Sequence, residues 1–206
     1  MADVPWPAVL PAPRASDWYL DGGSVAGPQA IDGRTSAVRA ENRIWRCRYE
    51  VPRLAPRATF ALRAMIDALS GRAGVLELPL CSEGLPDWGR PGAPCAAVTY
   101  AGGVTMRADT PAGASIVRLS GAASRFLMPG GLMTIMGSLY RLQRREAGGG
   151  LRINPSLRAA VPAGQPVEIE RPRVRVHLDV DGLAVPLVLR RRSERVTLPL
   201  VEAFGA

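Results

Sequence analysis

The stretch from Gly130 to Glu170, GGLMTIMGSLYRLQRREAGGGLRINPSLRAAVPAGQPVEIE, limits this chain more than any other. Leu132, Thr134 and Met136 alternate up to Gly137-Ser138. Leu139, Tyr140, Arg141 and Leu142 then open a second run, and Gly148-Gly149-Gly150 turns the chain into Leu151-Arg152-Ile153. Period-two alternation broken by glycine pairs is the signature of short strands joined by tight turns. The same punctuation recurs along the chain, which holds 22 glycines and 19 prolines with no repeating period. Such spacing suits many short strands and excludes collagen-like repeats.

Two other strands are legible from alternation alone. In Ile44–Val51, Trp45, Cys47, Tyr49 and Val51 share one side, and Ile44, Arg46, Arg48 and Glu50 share the other. In Arg173–Val180 the apolar side is Val174, Val176, Leu178 and Val180, and the polar side carries Arg173, Arg175, His177 and Asp179. Between them lies one helix over about residues 58–70, with Leu62, Met65, Ile66 and Leu69 as its apolar stripe and Ser70-Gly71 as its stop. Val75–Leu80, Val98–Gly102, Val104–Ala108, Ser115–Ser120, Val185–Leu189 and Arg195–Glu202 read as further strands. Residues 1–19 carry Pro5, Pro7, Pro11 and Pro13 among Trp6, Leu10, Trp18 and Tyr19, and read as an extended arm on this subunit or its neighbour. The expected fold is mostly β within the α+β class. It is a β-barrel or β-sandwich core over residues 20–206 with one flanking helix, an extended hairpin over 136–153 and the N-terminal arm.

The chemistry of a catalytic site is not written in this sequence. The single histidine, His177, falls on the polar side of its strand, and no GxSxG turn or phosphate-binding glycine loop accompanies it. Glu77, Glu83 and Asp87 are close in sequence, but nothing there fixes two carboxylates at a working separation. Cys47, Cys81 and Cys95 form no CxxC pair and read as free thiols, with pairing of Cys81 and Cys95 left open. The reading is therefore a non-enzyme with no metal and no cofactor. The start of the chain shows no basic region followed by an apolar run, and no segment has the length of a membrane span.

The net charge of +8 comes from arginine, since lysine is absent. A basic surface suits a polyanion or an acidic partner, yet no sequence-specific nucleic-acid motif is present. Arg141 and Arg190-Arg191-Arg192 are the candidate electrostatic residues. Trp6, Trp18, Trp88, Tyr140, Arg144 and Arg145 are the candidate contacts between subunits, with the loop 81–95 as a further contact.

Several phrases carry a resemblance. FALRAMIDALSGRAGVLELPL (60–80), GGLMTIMGSLYRL (130–142), RINPSLRAAVPAGQPVEIERP (152–172) and RVTLPLVEAF (195–204) are similar to the helix-to-strand unit, the glycine-strand-LYR hairpin and the closing strands of distal tail proteins. These are tail-tip proteins of long, non-contractile-tailed phages and gene transfer agents. The resemblance implies a homo-oligomeric ring, commonly a hexamer, in the virion tail tip. Such a ring, made in the host cytoplasm, joins the tail tube protein to the hub of the baseplate around the DNA exit channel. DNA would pass without specific binding and nothing would enter a membrane. The chain carries no sign of the appended carbohydrate-binding module of some relatives, which favours an adaptor over a receptor binder. A tail tube or tail-completion protein, or a small β-rich binding module, are the alternatives.

Overall fold

The computed structural model describes residues 3–10, 17–22, 24–29, 35–39, 43–51, 54–80, 103–183 and 196–203. They form a mixed α+β fold of two large sheets and one α-helix. The six-stranded sheet runs β1 (Val4–Pro5), β6 (Leu76–Pro79), β14 (Arg173–Leu178), β15 (Val196–Glu202), β5 (Ile44–Val51), β2 (Trp18–Asp21). The seven-stranded sheet runs β8 (Ile116–Val117), β12 (Leu151–Asn154), β11 (Ser138–Arg145), β10 (Leu132–Ile135), β13 (Pro166–Glu168), β7 (Val104–Met106), β9 (Leu119–Ser120). A two-stranded ribbon, β3 (Ser24–Gln29) with β4 (Thr35–Arg39), stands apart from both. Neither large sheet closes on itself through its ladder bonds, so the barrel expected from sequence is not formed in that sense. The expected strands 98–102 and 185–189 lie outside the described residues.

Helix α1 (Pro56–Leu69) starts two residues before the expected position because Pro56 occupies its first turn, where a missing N–H costs nothing. Thr59 sits inside the first turn and returns its hydroxyl to the Ala55 carbonyl at 3.2 Å. The stripe Leu62, Met65, Ile66 and Leu69 is buried, as the spacing requires. It packs into one core with Trp45, Cys47, Tyr49, Leu76, Leu78, Val174, Val176, Leu178, Leu198 and Leu200 of the six-stranded sheet. Arg46, Arg175 and His177 fall on the opposite, wetter side, so the alternation read from β5 and β14 holds in space.

The helix ends on Ser70 in the left-handed region, followed by Gly71 at φ 71°. A β-carbon on Gly71 would lie 2.7 Å from the Asp181 carbonyl oxygen, a backbone atom with little room to yield. Gly71→Ala should therefore lose about 1–3 kcal/mol in chemical denaturation, from left-handed strain and the clash together. An unchanged midpoint would show that this turn relaxes freely.

The seven-stranded sheet is wholly contained between β6 and β14, which are neighbours in the other sheet. Its two ends meet where the Leu80 amide donates to the Pro172 carbonyl at 2.8 Å. Met133, Ile135, Tyr140, Leu142, Leu151, Ile153, Val167, Leu157 and Val161 fill a second core on one side of this sheet. On the other side Leu132 and Leu139 enter the first core, so β10 is buried on both faces. Over Leu132–Ile135 both phases of the alternation are therefore covered, while Met136, in the turn that follows, is exposed.

The described part of the N-terminal arm lies on its own subunit. Val4 pairs in parallel with Leu76, Trp6 packs edge-on against Tyr49 at 6.1 Å, and Leu10 is buried. The arm stops short of residue 18, because Trp18–Asp21 is a strand paired with β5.

Candidate functional site

Among the described residues four polar contacts link the two sheets, and three of them use residues singled out from sequence or their immediate partners. Thr134 on β10 clamps β14: its hydroxyl donates to the Arg173 carbonyl at 2.6 Å and accepts the Arg173 amide at 2.8 Å. Trp45, fully buried on β5, donates its indole N–H to the Leu139 carbonyl of β11 at 2.8 Å. The Arg141 guanidinium lies over the Trp45 ring at 4.8 Å and donates to the Trp18 carbonyl at 3.0 Å. At the end of β15, Glu202 accepts from Arg158 at 2.5 Å and from the Trp45 amide at 3.3 Å. Arg158 also donates to the Arg43 carbonyl, and its own amide donates to the Tyr140 hydroxyl at 3.1 Å.

This junction is structural in character. Burial raises the Glu202 carboxyl above its ordinary range, with Arg158 and the amides of Trp45 and Leu139 pulling the other way. Burial likewise raises the Tyr140 phenol, opposed first by its hydrogen bond with the Arg158 amide. The hydrogen bonds from Arg158 and the Trp45 amide to the Glu202 carboxylate fall on Oε2, while Oε1 is buried without a hydrogen-bond partner among the described residues.

The residues proposed from sequence for subunit contacts divide accordingly. Trp18 and Tyr140 are 2% exposed and belong to the two cores, so neither offers a surface in this fold. Trp6 is half-buried and donates to the Leu10 carbonyl at 3.2 Å. Arg141 serves the inter-sheet stack rather than an open electrostatic surface. Arg144 is exposed and pairs with Glu146 at 3.0 Å. Arg145 donates to the carbonyls of Ser124, Arg125 and Leu127 at 2.7, 3.1 and 2.8 Å. These carbonyls close the short 3-10 turn Ala122–Phe126, an element the sequence reading missed, and a cation there satisfies groups that a helix end leaves bare. The hairpin 136–153 is thereby tied down to its own sheet and does not project. Trp88, Arg190, Arg191 and Arg192 and the loop 81–95 lie outside the described residues.

A further hairpin lies between β2 and β5 in sequence. β2 and β5 pair from Trp18↔Cys47 to Asp21↔Ile44, and β3 and β4 pair, also antiparallel, from Ser24↔Arg39 to Gln29↔Thr35. The ribbon β3–β4 is a two-stranded sheet of its own, separate from the six-stranded sheet to which β2 and β5 belong. Among the described residues the ribbon has no third strand. The sequence hid it because Gly27-Pro28 and the small residues around it interrupt the pattern, and the register slips between Ala26 and Gln29.

Other sites carry little chemistry. Cys47 is a buried thiol pushed up to about 12 by burial and by Asp17, which keeps it protonated and unreactive. Burial lowers the His177 imidazole, with Arg72 and Arg46 acting the same way and Asp179 against. Asp179 is itself engaged with Arg46 at 2.6 Å. An open cleft of about 520 Å³ lies beside β10 and β13, lined by Gly103, Met136, Glu168 and Glu170 among others. Glu168 spends its carboxylate on the amides of Glu170 and Arg171, both at 3.0 Å. Among the described residues no three His, Cys, Asp or Glu side chains are grouped to hold a metal ion. No protein-family model matches this chain, and no curated protein matches it.

Proposed function

We propose that this protein is a ring-forming structural subunit of a phage-type tail tip, an adaptor between tail tube and hub around the DNA exit channel. The observation that carries the reading is the ribbon. A two-stranded hairpin is marginal by itself in water, and a ribbon with no third strand among the described residues offers its edges for pairing with a neighbouring copy. Repeating one such head-to-tail contact closes a ring when the rotation allows. The resemblance of residues 60–80, 130–142, 152–172 and 195–204 supplies the kind of ring.

The barrel-or-sandwich form expected for such subunits draws support from one feature of the pairing. β8 and β9 stand at opposite ends of the seven-strand order, yet only Arg118 separates them in sequence. Residues 116–120 therefore act as one short strand that pairs with β12 by its first half and β7 by its second. On this reading the seven strands wrap around the second core, and both ends of the sheet are covered by the same segment.

The native mass of the full chain, with electron microscopy of the same sample, tests the proposal. Rings of one subunit layer are expected. A variant that closes the hairpin between Asp21 and Ile44 with an Asn-Gly turn should melt cooperatively but remain monomeric. A full chain that stays monomeric at high concentration, or a shortened chain that forms the same rings, would refute it. The ribbon also suits a tail tube subunit, whose inner wall is built from long hairpins. Stacking into long tubes would select that second reading.

A further inference from the structure

The arginines of this protein are distributed unevenly between partners. On the outer side of the six-stranded sheet, Arg46 meets Asp21 and Asp179, Arg173 meets Glu77, and Arg175 meets Asp3, all within 2.6–2.8 Å. That face is charged but balanced. The outer side of the seven-stranded sheet is different where residues 116–120 pair with both β7 and β12. Thr105↔Ser120 and Met106↔Leu119 are paired, which sets Arg107 opposite Arg118, and the Arg107 amide donates to the Arg118 carbonyl at 2.8 Å. Both side chains are exposed, and neither has an ion-pair partner among the described residues.

The patch continues across the sheet. Ile116, two residues before Arg118 and also exposed, is paired with Arg152, and Arg152 is paired with Arg144. Arg144 and Arg152 share one acceptor, Glu146 Oε1, at 3.0 and 2.5 Å. Four arginines thus lie along neighbouring strands, at spacings of about 5 Å per strand, with one carboxylate among them. Like charges set directly opposite each other cost folding free energy. Glu146 offsets that repulsion only at Arg144 and Arg152, and a row of anions laid along the strip would relieve it at Arg107 and Arg118.

We infer that this strip, from Arg107 through Arg118 to Arg152 and Arg144, is a contact surface for the phosphodiester backbone of duplex DNA. The inference rests on the proposed function only for DNA being the polyanion at hand. Arginine forks match phosphate oxygens two at a time, and nothing about a flat sheet surface reads bases, so binding is independent of sequence. The strip is weak by design of its size: four cations can neutralise few phosphates, which suits DNA that must move past.

The test is fluorescence anisotropy of a labelled, random-sequence duplex with the full-length protein across a salt series. Binding should fall linearly on log axes, with a slope of about −0.9 for each phosphate neutralised. The double variant Arg107→Ser/Arg118→Ser removes no ion pair and should lower the slope by roughly 2 and weaken binding by roughly tenfold at low salt. Arg173→Ser/Arg175→Ser, which removes equal charge from the balanced face, should change both far less. Equal losses in the two variants, or no loss in the first, would overturn the assignment. So would a first variant that binds DNA normally but no longer assembles, since the strip would then be a protein contact. Assembly is read separately by native mass, so a monomeric protein whose DNA binding still depends on Arg107 and Arg118 would sink the ring and leave the strip standing.

Discussion

Arg158→Met should destabilise the protein by about 3–5 kcal/mol, because it strands the Glu202 carboxylate in a site where its side chain is 2% exposed. The pair spans the two sheets, so its loss removes a charge partner and loosens the junction together. Replacing both members, Arg158→Met with Glu202→Leu, should recover most of the loss, since well-packed apolar groups avoid the desolvation cost altogether. Denaturant midpoints of the two singles and the double, read as a cycle, give the coupling directly. A double variant as unstable as Arg158→Met would show that packing rather than charge holds the junction.

The pH dependence of the same pair has a definite sign. The folded state holds Glu202 above its ordinary value, so between the unfolded and folded pKa values the native protein binds more protons than the unfolded chain. Its contribution is therefore present in acid and is lost as pH rises through that window. Arg158 opposes the upward shift, and removing it moves the folded value higher still. The deficit of Arg158→Met should accordingly shrink on acidification from neutrality toward the ordinary carboxylate range, while other carboxylate pairs remain ionised. A deficit that is flat with pH in that interval would count against a stranded charge.

Trp45→Ala should be comparably damaging, at about 3–5 kcal/mol. The ring is fully buried, supports the Arg141 guanidinium, and donates across the sheets to Leu139. Trp45→Phe separates these roles. It keeps an aromatic surface under Arg141 but leaves the Leu139 carbonyl without its indole donor, so it should lose about 1–3 kcal/mol, less than the alanine variant. If the two substitutions proved equally costly, the hydrogen bond would outweigh the packing. If phenylalanine were neutral, the indole N–H would contribute nothing to the junction.

The elements that could be read from sequence are those whose two faces meet different environments. β5 and β14 alternate cleanly because one face meets the helix and the core, and the other carries the balanced ion pairs. α1 was legible from its stripe, with only its start displaced by Pro56. The ribbon was not legible, since Gly27-Pro28 and the register slip between Ala26 and Gln29 break any regular period. Trp18 and Tyr140 were read as contact residues because large aromatics serve interiors and interfaces alike, and only the fold distinguishes the two. The Glu202–Arg158 pair was beyond reach for a different reason. Its partners are 44 positions apart and meet only once both sheets are assembled.

The nesting of one sheet within the other has a consequence for how the chain is made. Every strand of the seven-stranded sheet lies between Val104 and Glu168, whereas the six-stranded sheet places its last strand, β15, between β14 and β5. On a ribosome, which delivers residues in order, the inner sheet can acquire its whole core before the outer one has its middle. Until Val196–Glu202 emerges, β5 and β14 lie unpaired on the sides that β15 will join, with Trp45, Cys47 and Tyr49 already synthesised behind them. The nascent chain therefore passes through an interval with two open sheet edges. Val196–Glu202 closes both at once.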